Sequence, residues 1–206
     1  MLKLFFSPGS CSLASHIALE EAGAAYETVR MNTGAWDQRK PEYLAINPKG
    51  RVPALVTDRG VLTETPAILA FVAQSYPAAK LAPLDDPFAF ARAQAFNSYL
   101  CSTVHVAHAH KHRGYRWADA PEALAEMTRK VPETETACFQ LIEDEMLQGP
   151  WVLGEAYSIC DGYLFTLAGW LEGDGIDCRR FPKVYEHRER VRARPAVRKV
   201  LADEAA

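Results

Sequence analysis

The chain has no CxxC motif, no internal repeat and no low-complexity segment, and its five cysteines (Cys11, Cys101, Cys138, Cys160, Cys178) are scattered and odd in number. That pattern argues against a disulfide framework or a structural zinc site and suits reduced thiols, one of them chemical and the rest filler. Long apolar runs are missing too. Met1 to Phe6 meets Ser7-Pro8-Gly9 at once, too brief for a membrane span or the hydrophobic region of a signal peptide, so the expectation is a cytoplasmic protein. Nor is there an excess of one charge. A formal charge of −3 and a pI near 6.1 give no general attraction to nucleic acid or anionic membrane. The one basic run, Arg188 to Arg198, alternates with Val and Ala and reads as a solvated helix face.

What is present is an ordinary globular composition, 49% hydrophobic over 206 residues, enough for two modest domains. Lys3 to Phe6 reads as a buried strand and Ser7 to Ser10 as its turn. Leu13, Ile17, Ala18 and Leu19 form the apolar stripe of a helix ending near Gly23, and Tyr26 to Met31 is a second strand. A right-handed crossover makes these strands parallel neighbours if they share a sheet. After an irregular stretch, Val52 to Thr57 and Val61 to Thr63 flank Asp58-Arg59-Gly60 as a hairpin. Thr65-Pro66 opens a helix through Ile68, Leu69, Phe71 and Val72. From the proline-rich stretch Tyr76 to Pro87 onward the periodicity is helical. The expected architecture is an α+β unit, β-α-β then β-β-α, over 1–80 and an all-helical unit over 87–206.

Four local signals stand out. Cys11 follows a strand and a Pro-Gly turn at the first turn of a helix, where unpaired N–H groups and the dipole favour a thiolate at Cys11 or one bound beside it; a small residue at a tight turn is the other reading. In Asn47-Pro48-Lys49-Gly50-Arg51-Val52-Pro53, a cis Val52-Pro53 bond would turn the Val52 backbone outward to grip a peptide as an added strand, whereas an edge-strand proline is the plainer alternative. Glu64 and Thr65 fall at a strand-to-helix junction, either as a site for an amino-acid head group or as a solvated acid and an N-cap. Ser158-Ile159-Cys160-Asp161 is a capping box, with Tyr157 positioned as a staple, and is structural.

Together, in this order and spacing, Phe6-Ser7-Pro8-Gly9-Ser10-Cys11, Leu44 to Pro53, Leu62-Thr63-Glu64 and Ser158 to Phe165 resemble the glutathione transferase family, the first of them its beta class, the bacterial cysteine-type enzymes. The resemblance runs from residue 1 to about residue 200. It implies a thioredoxin-like domain joined to a helical bundle, a cytoplasmic homodimer and glutathione as cosubstrate. It implies that Val52, before a cis Pro53, binds the cysteinyl backbone and that Glu64 and Thr65 hold the γ-glutamyl end. Cys11 would face the glutathione sulfur, and His105 matches the family's histidine on the long helix lining the cleft. Ser98 joins the implied binding residues, standing where an asparagine is common. Phe6 replaces a frequent tyrosine and Val106 a frequent lysine.

His105, His108 and His112 share one helical face, a spacing compatible with a metal. No acidic residue nearby in sequence completes such a site, so the expectation is an electrophile pocket shared with Tyr115 and Trp117 and no metal. The implied activity is conjugation of glutathione to hydrophobic electrophiles. Two alternatives remain open: thiol-disulfide exchange or deglutathionylation with Cys11 as nucleophile, and a non-catalytic binding protein of the same fold.

Overall fold

The computed structural model describes residues 1–206. Strand β1 (Leu2–Phe6) leads through a turn into helix α1 (Ser12–Glu21), and β2 (Tyr26–Arg30) returns parallel to β1, pairing Leu4 with Thr28. The hairpin β3 (Ala54–Thr57) and β4 (Gly60–Thr63) adds antiparallel strands, giving the sheet order β2-β1-β3-β4. Gly60, at φ 132°, supplies the turn. Within the irregular stretch lie a 3-10 turn, Asp37–Arg39, and a short α-helix, α2 (Pro41–Leu44), each too brief to register as a periodicity. Helix α3 (Thr65–Ser75) has proline in its first turn, as expected, and completes the thioredoxin-like unit.

The remainder is helical: α4 (Pro87–Tyr99), α5 (His105–Arg113), α6 (Pro121–Leu141), α7 (Ile159–Ala168), α8 (Pro182–Arg192) and α9 (Pro195–Ala205). A π-helical turn, Leu100–Val104, joins α4 to α5. Such turns widen a helix by one residue and gather at functional sites. Here the turn immediately precedes His105.

The two units share one core. A single cluster of 33 buried residues runs from Leu4, Leu55 and Leu69 in the first unit to Leu100, Phe139 and Leu164 in the second. Burying each such Leu or Phe is worth about 2 kcal/mol. α1 lies at the centre, packing on α3, α7 and α9, so the helix that carries Cys11 is clamped from both units. Trp170 adds a polar tie, donating its indole N–H to the Gly9 carbonyl at 2.8 Å.

The basic run is less solvated than its sequence suggests. Pro195 divides it between α8 and α9, Arg188 is nearly buried and bonds Glu172 and the Ala168 carbonyl, and Arg194 pairs with Glu21. Arg194 also lies 3.8 Å from the centre of the Tyr157 ring. Two arginines of the run therefore hold helices together.

The capping box at α7 is formed as expected, and the fold extends it. The fully buried Asp161 accepts from Val152 N at 2.7 Å, Ser158 N at 2.7 Å, Ser158 Oγ at 3.0 Å and His187 Nε2 at 2.8 Å. Removing the carboxylate orphans a cluster of buried donors, at a cost of about 3 kcal/mol or more. Asp161→Ala is therefore expected to lower urea-unfolding stability by about 3 kcal/mol, and Ser158→Ala by about 1 kcal/mol. Equal effects from the two changes would contradict this account.

Candidate functional site

Four segments converge where the sheet meets the helical unit: the β1-α1 turn, the loop before β3, the β4-α3 junction and the π turn with α5. They enclose an open cleft of about 630 Å³. Cys11, Val52, Pro53, Glu64, Thr65 and His105 all line it. Ser98 does not: it is exposed on α4, and its carbonyl accepts from the Cys101 thiol and the Ser102 hydroxyl.

The Val52 backbone is aimed by its neighbours. Tyr43 Oη and Asn47 Nδ2 both donate to the Arg51 carbonyl at 2.6 Å, anchoring the loop from below. The Val52-Pro53 peptide is cis, as the sequence reading allowed. The Val52 N–H has no partner within the protein, while its carbonyl accepts from Cys11 Sγ at 3.5 Å.

Glu64 adopts φ 71° and ψ 121°, a conformation a non-glycine residue rarely takes and that costs of the order of 1–3 kcal/mol. It leaves the carboxylate at the cleft mouth, bound to Lys49 Nζ at 2.6 Å, and Lys49 also donates to Thr63 Oγ1 at 2.6 Å. Thr65 begins α3 buried, with its hydroxyl directed toward Cys11 and Tyr163.

Cys11 stands at the start of α1, where the sequence left open a thiolate at Cys11 or one bound beside it. The first N–H groups of α1 are already bonded: Ser12 to Ser10 Oγ, Leu13 to the Ser10 carbonyl and Ala14 to the Cys11 carbonyl. The Cys11 N–H, which has no other partner, acts on its own sulfur. Burial pushes the Cys11 thiol up, outweighing the opposing effects of Thr65 and the Arg113 charge. In the unliganded protein Cys11 is thus a protonated donor and not a thiolate. Cys101, expected to be inert, is a second thiol lining the same cleft.

The histidines divide by role. His105 packs edge-on against Trp170 at 5.0 Å, and burial, followed by the charge of Arg113, pushes its pKa down to about 4. It is neutral at physiological pH. His108 stacks on Trp170 at 4.3 Å and meets Asp174 at 2.6 Å, an acid supplied by a segment 66 residues away that the local sequence gave no hint of. Beneath it, burial and then Asp174 push the Glu135 carboxyl up to about 8, so that Glu135 is a neutral acid at pH 7. His110 faces Trp117 at 4.5 Å. No group of three or more His, Cys, Asp or Glu side chains is arranged to hold a metal.

Three contributors escaped the sequence reading. Tyr163, read only as part of an apolar run, is fully buried and brings a phenol from α7 beside Thr65 and Cys11. Trp170 forms the wall against both histidines, and Arg113 faces Cys11 and His105 from the end of α5. Tyr163 and Trp170 come from distant segments brought in by helix packing, while Arg113 ends the helix that His105 begins.

A thioredoxin-like sheet with a cis proline beside a helix-capping cysteine, roofed by an all-helical unit, defines the two-domain class of glutathione-binding folds. Residues 1–74 match the model of the glutathione S-transferase N-terminal domain and residues 96–195 that of its C-terminal domain. The chain belongs to the glutathione S-transferase family. It is 31% identical over 206 residues to glutathione S-transferase GstA of Escherichia coli O157:H7, covering 98% of each chain. It is 26% identical to the disulfide-bond oxidoreductase YfcG of Escherichia coli, covering 98% of this chain and 94% of the relative. Among solved structures, a glutathione transferase homologue from Sulfitobacter with bound glutathione superposes with a TM-score of 0.96 at 48% identity, over 98% of both chains. The bacterial beta-class enzyme of Sphingomonas chungbukensis does so with a TM-score of 0.86 at 35% identity, over 98% of both chains.

Two measurements follow from the site's electrostatics. Alkylation of Cys11 by iodoacetamide at pH 7 is expected to be slower than that of an unperturbed thiol, since reactivity follows the thiolate fraction; a rate above the free-thiol value contradicts the buried, protonated state. For His105, the pKa near 4 lies below the ordinary value of about 6.5, so the unfolded chain binds the proton first. Its contribution is complete above about pH 6.5 and declines as pH falls toward 4. His105→Gln is therefore expected to flatten the loss of urea stability between pH 7 and pH 4.5, and an unchanged pH slope would contradict this.

Proposed function

We propose that the protein is a beta-class glutathione transferase, cytoplasmic and homodimeric, which conjugates the glutathione thiolate to small electrophiles. The observation that carries this reading is the convergence at one cleft of the unpaired Val52 N–H, the outward-held Glu64 and the Cys11 thiol. Residues 1–80 serve as the glutathione domain and 87–206 as the electrophile wall.

Glutathione lies extended along Val52, its cysteinyl backbone pairing with the Val52 N–H and C=O in the manner of an added strand. The γ-glutamyl ammonium exchanges places with Lys49 on the Glu64 carboxylate, and the Thr65 end of α3 receives the γ-glutamyl carboxylate. Pairing with the Val52 carbonyl displaces Cys11 Sγ from it, and the freed S–H turns to donate to the glutathione sulfur. A protonated donor stabilises a thiolate beside it, so the raised pKa of Cys11 favours conjugation. Neutral His105 adds a donor without adding charge. The glutathione S–H loses its proton to solvent, the thiolate forms the C–S bond, and the leaving group departs with its electron pair. The aromatic rings of Trp36, Tyr115, Trp117 and Trp170 provide the wall against which the electrophile rests. Ser98, exposed on α4, takes no part within one protomer; at the other end of α4 and just before it, Phe88 and Leu84 leave apolar surface that a second copy would cover.

The second reading, disulfide exchange with Cys11 as nucleophile, draws support from the oxidoreductase among the relatives. It requires a Cys11 thiolate, which burial disfavours in the free protein.

The test is calorimetric titration with glutathione and variant kinetics. Glu64→Ala is expected to weaken glutathione binding at least tenfold, a loss of about 1.4 kcal/mol. Cys11→Ala is expected to retain conjugation within about tenfold while losing any disulfide reductase activity. Survival of both activities in Cys11→Ala would show that Cys11 is not a nucleophile, loss of all conjugation would make its donated hydrogen bond essential, and absence of glutathione binding by the wild type would leave a non-catalytic binding protein of this fold.

A further inference from the structure

The charge lining the cleft is one-sided. Arg39, Arg51, Arg113 and Arg116 all line it, and none is ion-paired. The only carboxylate among the lining residues is Glu64, already bound to Lys49. Three of these guanidiniums are close enough to act on one another and on a common centre. The charges of Arg51 and Arg113 bear on Arg116, and those of Arg113, Arg116 and Arg51 all bear on His105. Arg113 and Arg116 are part-buried, and burial together with the neighbouring charges pushes Arg116 below its usual range.

Part-buried, mutually repelling guanidiniums are costly without an anion, and their planar forks are suited to carboxylates. Glutathione does not satisfy all of them. With its γ-glutamyl end at Glu64 and Thr65, one carboxylate remains, that of glycine, for four guanidiniums. Arg113 and Arg116 stand on the helical wall, apart from the loop wall of Arg39 and Arg51. The chain as a whole carries a formal charge of −3, so this local excess is not a reflection of its overall composition.

Resting on the conjugation reading, we infer that the electrophilic second substrate is itself an anion, a compact carboxylate-bearing molecule whose acid group is bound by Arg113 and Arg116 while its reactive carbon faces the glutathione sulfur. This replaces the purely hydrophobic electrophile expected from the sequence. The aromatic wall holds the body of the substrate and the arginines orient it, fixing which carbon the thiolate meets.

The test compares 4-(chloromethyl)benzoate with its methyl ester, two probes of nearly equal shape that react by the same step. The glutathione thiolate forms the benzylic C–S bond, the C–Cl bond breaks, and chloride leaves with the electron pair. The acid is expected to show kcat/KM at least tenfold above the ester after correction for the uncatalysed rates. That ratio should fall toward one in Arg113→Gln/Arg116→Gln, and it should shrink with added salt in the wild type, a readout that does not depend on the variant folding. An ester turned over as well as the acid, or a preference that persists in the double variant, overturns the inference and leaves conjugation standing. Absence of turnover with both probes overturns the conjugation reading and the inference with it.

Discussion

The Arg51 carbonyl, held at 2.6 Å by both Tyr43 Oη and Asn47 Nδ2, is the fixed point on which the cleft depends. Tyr43 and Asn47 are themselves buried. Their two bonds determine where the next residue, Val52, presents its N–H and C=O, and Cys11 and Glu64 are useful only relative to that backbone. The one-turn helix α2 exists to place this tyrosine.

Around that fixed point the protein separates charge by depth. The floor is kept neutral: burial raises the Cys11 thiol, His105 is held without its proton, and Glu135 is a neutral acid below. The rim is cationic on both sides. A thiolate formed in such a place is stabilised by oriented donors and by nearby positive charge, in surroundings that reorganise little as it reacts. Of the N–H groups at the start of α1, those of Ser12, Leu13 and Ala14 are already taken by Ser10 and Cys11, leaving the Cys11 N–H to face the sulfur.

Much of this was legible in the sequence where the signal is local. The strand-turn-helix around Cys11, the hairpin at Gly60 and the capping box at Ser158 each depend on residues within a few positions of one another, whereas the local residues left the cis Pro53 open and only the family resemblance implied it. Tyr163, Trp170, Asp174 and Arg113 were not legible as site residues, because their partners lie far away in the chain and only the packing of α5 and α7 against the first unit brings them to the cleft. The buried roles of Arg188 and Arg194 were missed for the same reason: their partners, Glu172 and Glu21, belong to other segments. Which of the two thiols carries the charge was left open, because burial cannot be read from a turn motif.

The central claim is that glutathione exchanges with Cys11 for the Val52 carbonyl and so turns the Cys11 thiol onto its own sulfur. A crystal structure of the protein with reduced glutathione tests this directly. The account predicts the cysteinyl N–H on the Val52 carbonyl, Cys11 Sγ moved from that carbonyl to within hydrogen-bond reach of the ligand sulfur, and no S–S bond. Glutathione bound with Cys11 still on Val52, or joined to Cys11 as a mixed disulfide under reducing conditions, would contradict it.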